Sequence, residues 1–150
     1  MFGGRFDHTI DDKGRVSIPA QVREALARDN QETVFVTNWV AEHQRCLAVF
    51  PPANWTKLVG KASQRASLES SMQAFQMFFI GGAHEVQVDR QGRILIPPRL
   101  REYAHLGRDV TFSAMLDHFQ LWDKSVLTEV LGKVERQFLE DSELIGKLNL

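Results

Sequence analysis

Two arginines each follow a glycine directly, in the same local setting. Arg15 lies in "DDKGRVSIPAQVRE", residues 11–24, and Arg93 in "DRQGRILIPPRLRE", residues 89–102. Each unit opens on an aspartate, Asp11 or Asp89, and reaches its arginine through Gly14 or Gly92. A guanidinium so placed can do two kinds of chemistry. It can pair with the aspartate four residues back, clipping the turn as a surface ion pair worth about 0–1 kcal/mol. It can also point outward, where its planar fork matches guanine O6 and N7 or a phosphate. The two roles are compatible, because an ion pair orients an arginine that also contacts a duplex.

The neighbouring residues divide the labour. Lys13 is a compact charge suited to phosphate, and backbone amides beside Gly14 could add anion contacts where no Cβ intrudes. Arg15 is the first candidate for base contact, and Lys13 and Arg5 are candidates for phosphate. Arg90 and Arg93 are their second-copy partners, while Asp11, Asp89 and Gly92 shape the turns. The copies differ, with Gln91 in place of Lys13 and Arg90 in place of Asp12. Arg23 and Arg101, further along each unit, read as solvated surface charge. Whether Arg93 reads DNA or braces its turn is left open by the spacing.

The elements that must carry these residues follow from periodicity. "RFDHTI" and "HEVQV" alternate apolar and polar residues, a strand pattern. The Asp-x-x-Gly tetrapeptide supplies a hairpin turn with Gly in the left-handed position, after which "RVSI" and "RILI" resume the strand. Pro19 and Pro97 suit a first helical turn and start short helices. Strands at roughly 33–39 and 46–50, and at 110–115 and 118–122, complete a β-β-α-β-β half twice. The repeat offset of 78 carries on to pair Thr33 with Thr111. Leu68, Met72, Phe75 and Phe79 form an apolar stripe between the halves, with Gly81-Gly82 ending that helix. Leu127, Leu131, Val134 and Phe138 form another near the C-terminus. The expected organisation is a first repeat over 1–56, linking helices over 57–80, a second repeat over 81–123 and a C-terminal helix over 124–150. Two copies are too few for a solenoid and point to a pseudo-dimer.

Composition bounds the function. With 43% hydrophobic and 25% charged residues the chain reads as an ordinary globular protein. No signal peptide is expected at the N-terminus, and no apolar run approaches the roughly 20 residues that span a bilayer. The single cysteine, Cys46, leaves no intrachain disulfide framework and fits a reducing cytoplasm. A net charge of −1 argues against a generic polyanion binder, although residues 89–108 carry a local excess of +3. His8, His43, His84, His105 and His118 lack metal-ligand spacing, and His8 and His84 fall at near-equivalent places in the copies, as structural residues would. No catalytic residue, cofactor, metal or small-molecule substrate is expected.

"MFGGRFDHTIDDKGRVSIPAQVRE", the joint "FFIGGAHEVQVDRQGRILIPPRLREYA" and the paired Asp-x-x-x-Arg signatures together resemble the MraZ family of bacterial transcriptional regulators. That family is a tandem relative of the AbrB/SpoVT-type swapped-hairpin DNA-binding domain, and the likeness spans nearly the whole chain. It implies an α+β fold in which two tandem halves interleave into a pseudo-symmetric swapped-hairpin β-barrel, with linking and C-terminal helices. It further implies a cytoplasmic, nucleoid-associated regulator of the division and cell-wall gene cluster, with repression the expected sign. The implied partners are promoter DNA, read as short direct repeats upstream of its own gene, and further copies of the chain in a ring, with no membrane. Two departures stand out. Arg5 occupies a position where the family often has an acid, and "FSAMLDHFQLW" lacks the turn glycine common there, so the last hairpin is expected to differ in shape. The rival reading is an AbrB-type antitoxin, against which stand the two signatures and the helical periodicity of the final segment.

Overall fold

Each half of the chain gives its first strand to the other half. In the computed structural model, which describes residues 1–149, β1 (Arg5–Thr9) pairs antiparallel with β7 (Asp109–Ala114), and β5 (His84–Gln87) pairs antiparallel with β3 (Thr33–Ala41). The hairpins β3–β4 (Gln44–Phe50) and β7–β8 (Phe119–Asp123) stay within their halves and meet through β4 and β8. The result is one six-stranded sheet, ordered β1-β7-β8-β4-β3-β5. The remaining strands, β2 (Arg15–Ser17) and β6 (Arg93–Leu95), form a separate antiparallel ribbon. This is the barrel-like α+β arrangement that the family resemblance implied.

A pseudo-twofold axis runs through two cross-strand pairs, Val16–Ile94 in the ribbon and Ala48–Gln120 in the sheet. The register also corrects one expectation. Val36 and Phe112 occupy equivalent places, opposite His84 and Phe6, so Thr33 corresponds to Asp109 and not to Thr111. The second copy is two residues shorter between its proline and the next strand. A second correction concerns the hairpin read at Asp-x-x-Gly. β1 and β2 do not pair with each other; the turn passes the chain from the sheet to the ribbon.

Alternation explains the burial. Val16 and Ile94 point inward while Arg15, Ser17, Arg93 and Leu95 face out. Inward side chains of both halves, among them Val34, Val36, Leu47, Val49, Val110, Phe112, Phe119 and Leu121, close one core with α1 (Ala20–Arg28) and α4 (Pro98–Tyr103). Burying each of these side chains contributes about 1.5–3 kcal/mol. The short helices begin at Pro19 and Pro97, which occupy the cap positions as their fixed φ allows.

The link between halves is α2 (Pro52–Ala66), α3 (Ser70–Phe75) and a π-helical turn, Gln76–Ile80. Met72, Phe75 and Phe79 are partly buried, but Leu68 is 84% exposed and lies in the bend before α3, outside the stripe expected of it. Two buried polar residues of β3 dock the π-helical turn: Thr37 Oγ1 donates to the Phe79 carbonyl, and Asn38 Nδ2 donates to that of Phe78 at 3.1 Å. Gly82 is needed here for space, since a Cβ would fall 1.7 Å from Asn38 Oδ1.

The C-terminal helix α5 spans Lys124–Glu140 and is capped by Asp123, whose carboxylate accepts from Val126 N–H. Leu127 and Val130 are buried against Trp122, Leu131 and Val134 are partly so, and Phe138 projects beyond the packed face. A short α6, Glu143–Gly146, follows; of the expected helix over 124–150, Leu150 lies outside the described residues. The β7–β8 loop is wider than the two-residue β3–β4 turn, with Leu116 at φ 71°. Among the described residues no helix is long and apolar enough to cross a membrane.

Candidate nucleic-acid interface

The two turns have one geometry. Asp11 Oδ1 accepts the Lys13 and Arg15 amides, both at 2.9 Å, and Asp89 Oδ1 accepts those of Gln91 and Arg93 at the same distances. The second carboxylate oxygen takes the arginine Nε–H, at 3.1 Å in each copy. Gly14 and Gly92 donate to the carbonyls of the same aspartates, with φ of 88° and 78°, where an L side chain is strained. These bonds hold both carboxyls below the ordinary 3.8, the arginine amide contributing most in each turn. Because the Lys13, Gly14 and Arg15 amides all donate to Asp11, they are not available as the anion-binding amides expected from the sequence.

The ribbon joins the turns. Ile18 N–H donates to Gly92 O and Ile96 N–H to Gly14 O, each at 2.9 Å, so each turn is tied to the strand of the other half. Arg15 opposes Leu95 and Arg93 opposes Ser17. The two arginines therefore share one outward face, offset by two residues or about 7 Å along the strands. Each uses only Nε in its hydrogen bonds among the described residues, leaving the Nη donors without a partner there. Both are about one-third exposed, so the aspartate brace and an outward reading role coexist geometrically. Lys13 and Arg90 are exposed beside them.

Arg5 is not brought to the turns. It stands at the far end of β1, in a groove with Glu42, Met115 and Trp122 along α5. Two residues that the sequence marked as solvated charge are at the turns instead. A Cβ on Gly14 would lie 2.7 Å from Arg101 Cζ, and one on Gly92 would lie 2.5 Å from Arg23 Nε. Each helix arginine thus covers the glycine of the opposite half. Arg101 is half-buried, and its Nε is buried without a hydrogen-bond partner. No local signal marks this, because the contact exists only after the halves exchange strands.

Arg15 and Lys13 line an open groove with Asp11, Asp12, Arg101 and Arg108. The related groove beside the other turn is lined by Arg23, Asp89, Arg90 and Glu32. The histidines are dispersed: His8 meets the edge of Phe112, His84 lies by Arg99, and His118 stacks on Phe50 at 4.4 Å between ring centroids. His8 pairs with Val110 and His84 with Val36, places two residues apart in the repeat. Among the described residues no group of three or more His, Cys, Asp or Glu side chains could hold a metal ion. Cys46 is buried, which pushes its thiol up to about 12.

The two tandem Asp-x-x-x-Arg turns thus stand on halves that exchange strands, and comparison with known families also divides the chain in two. The MraZ protein family model, whose description adds a likeness to antitoxins, matches twice, over residues 1–78 and 79–143. The chain belongs to the MraZ family. The relative from Thermoanaerobacter sp. (strain X514) is 36% identical over 150 residues, covering all of both chains. That from Syntrophobacter fumaroxidans is 39% identical over 124 residues, 83% of this chain and 80% of its own. That from Anaeromyxobacter dehalogenans (strain 2CP-C) is 38% identical over 132 residues, 88% and 90% of the two chains. All three are named transcriptional regulator MraZ, a regulator's name and not an enzyme's.

Proposed function

We propose that this MraZ-family protein is a DNA-binding transcriptional regulator that reads short direct repeats upstream of its own gene, in the division and cell-wall cluster. The carrying observation is the ribbon face. Arg15 and Arg93 stand on it side by side, each held by an aspartate through Nε while its Nη donors have no partner among the described residues. A two-stranded ribbon fits the major groove, and an arginine fork is the commonest specific reader of guanine. Arg15, backed by Lys13 and flanked by Gly14, reads or lies next to a base; Arg90 and Arg93 support the second turn. Asp11, Asp89 and Gly92 shape the turns and do not touch DNA.

One chain offers few cations, so useful affinity calls for several copies on spaced repeats, as a ring would provide. Exposed apolar residues in two separate places, Met77 and Phe78 in the linker and Phe138 and Leu139 on α5, suit a head-to-tail contact between copies. The test is Arg15→Glu on DNA from upstream of the gene. Losing a bidentate base contact costs about 1–3 kcal/mol per site. Over several subunits the specific mobility shift should disappear while the sedimentation profile stays unchanged. A variant that shifts this DNA at the wild-type protein concentration refutes the proposal. The antitoxin likeness of the family model favours a second reading, a module that caps a toxin. Co-purification with the product of an adjacent small nuclease-like gene would support it.

A further inference from the structure

We propose that the two turns grip a duplex unequally, with the groove beside the first turn holding phosphate and the groove beside the second leaving it. The inference rests on the DNA-binding reading above and adds which side of the pseudo-symmetric subunit carries the electrostatic hold.

One pair of equivalent backbone positions sets the difference. Where β1 leaves the sheet, Ile10 N–H donates to the Arg108 carbonyl at 2.8 Å; at the matching place, Val88 N–H donates to the Glu32 carbonyl at 2.8 Å. The same position at the foot of each turn therefore carries a cation in one half and an acid in the other, and both side chains are exposed. The first groove gathers Lys13, Arg15, Arg101 and Arg108 against Asp11 and Asp12. Of these acids, Asp11 already pairs with Arg15. The second groove sets Arg23 and Arg90 against Asp89 and Glu32, where Asp89 likewise already pairs with Arg93, and Gln91 replaces the lysine at its turn. Outside these pairs the first groove sets Lys13, Arg101 and Arg108 against Asp12, and the second sets Arg23 and Arg90 against Glu32.

Arg101 adds a second reason. Its guanidinium lies against Gly14 at the first turn, and its Nε–H is buried without an acceptor. A buried donor left unpaired is unfavourable. An anionic oxygen entering this groove would offer charge-assisted bonds to the guanidinium of Arg101 and to Arg108 and Lys13, which line the same groove. Lys13 and Arg108 contact phosphate from exposed positions. Arg101 also keeps the turn in place, since it covers the glycine.

The test is a salt titration of binding by the full-length protein, on DNA from upstream of its gene and on a random duplex of equal length. The variants are Arg108→Gln, Glu32→Gln and Arg15→Glu. Each phosphate contact contributes about 0.9 to the slope of log K against log salt, which amounts to roughly eightfold in affinity between 1 M and 0.1 M salt. Arg108→Gln should lower the slope by about 0.9 per engaged subunit, and weaken binding at 0.1 M salt by about eightfold per subunit on both duplexes. Glu32→Gln should leave the slope unchanged. Arg108→Gln with a wild-type slope, or equal changes in the two variants, overturns the inequality even if Arg15→Glu abolishes specific binding. Arg15→Glu with wild-type binding overturns the underlying reading and the inequality with it. Arg108 and Glu32 support the fold through their backbone carbonyls, so both glutamine variants should retain the wild-type unfolding midpoint.

Discussion

Replacing Gly14 by alanine separates backbone strain from side-chain crowding at the first turn. Gly14 has φ 88°, and a Cβ there would meet Arg101 Cζ at 2.7 Å and Nε at 2.8 Å. The two effects differ in kind. An L residue in the left-handed region costs about 1–2 kcal/mol. The overlap falls on the far end of a flexible arginine, which can swing away, so it displaces Arg101 more than it destabilises the fold. Gly14→Ala should therefore lose about 1–2 kcal/mol, which at 2–4 °C per kcal/mol for a chain of this size lowers Tm by about 2–8 °C. Gly14→Asn should lose less, because asparagine tolerates positive φ, although its side chain displaces Arg101 as well. The double variant Gly14→Ala/Arg101→Ala removes the overlap and keeps the strain. The assay is urea unfolding of the full-length protein followed by tryptophan fluorescence, at one fixed protein concentration because assembly would shift the midpoint. An alanine variant with the wild-type midpoint would refute the strain account. An asparagine variant as unstable as alanine would shift the cause to Arg101.

Other consequences follow from the same contacts. The Asp11 carboxyl is held below its ordinary 3.8, first by the Arg15 amide and then by the Lys13 amide and the Arg15 side chain, so its stabilising effect is present above about pH 4 and is lost as pH falls through the depressed value. Asp11→Asn should accordingly unfold earlier than wild type in urea at pH 7, and the gap should narrow as pH falls below the ordinary carboxylate range; a gap that is constant with pH would contradict this. Thr37→Val keeps the shape of a buried side chain and leaves the Phe79 carbonyl unpaired, a loss of about 1–3 kcal/mol. Hydrogen exchange in residues 76–82 should quicken in this variant more than in β4, and uniform protection would count against the docking role of Thr37.

Much of the fold was legible because its determinants are consecutive. Alternation in "RFDHTI" and "HEVQV", the Asp-x-x-Gly turns and the prolines that open α1 and α4 each act within a few residues, and the structure has strands, turns and helices there. Leu68 was misread because a spacing rule cannot see that α2 ends before it. The match of Thr33 to Thr111 failed for a related reason: the second copy is two residues shorter, and only strand register reveals the slip. Gly81-Gly82 did end the linking helix, but the need for glycine at 82 comes from Asn38, a residue more than 40 positions earlier.

At the candidate interface the division has one physical cause. Sequence alone determined the Asp11–Arg15 and Asp89–Arg93 braces, since a carboxylate four residues before an arginine reaches it across a single tight turn. It also determined the repeat, and through the repeat the family. Tertiary structure alone decided that Arg15 and Arg93 share one face, that Arg101 covers Gly14 while Arg23 covers Gly92, and that Arg108 and Glu32 stand at equivalent places. These relations join residues about 70 to 90 positions apart, through strands that cross between halves. They depend on the register of β2 with β6 and of β1 with β7, which the buried faces of both halves impose together.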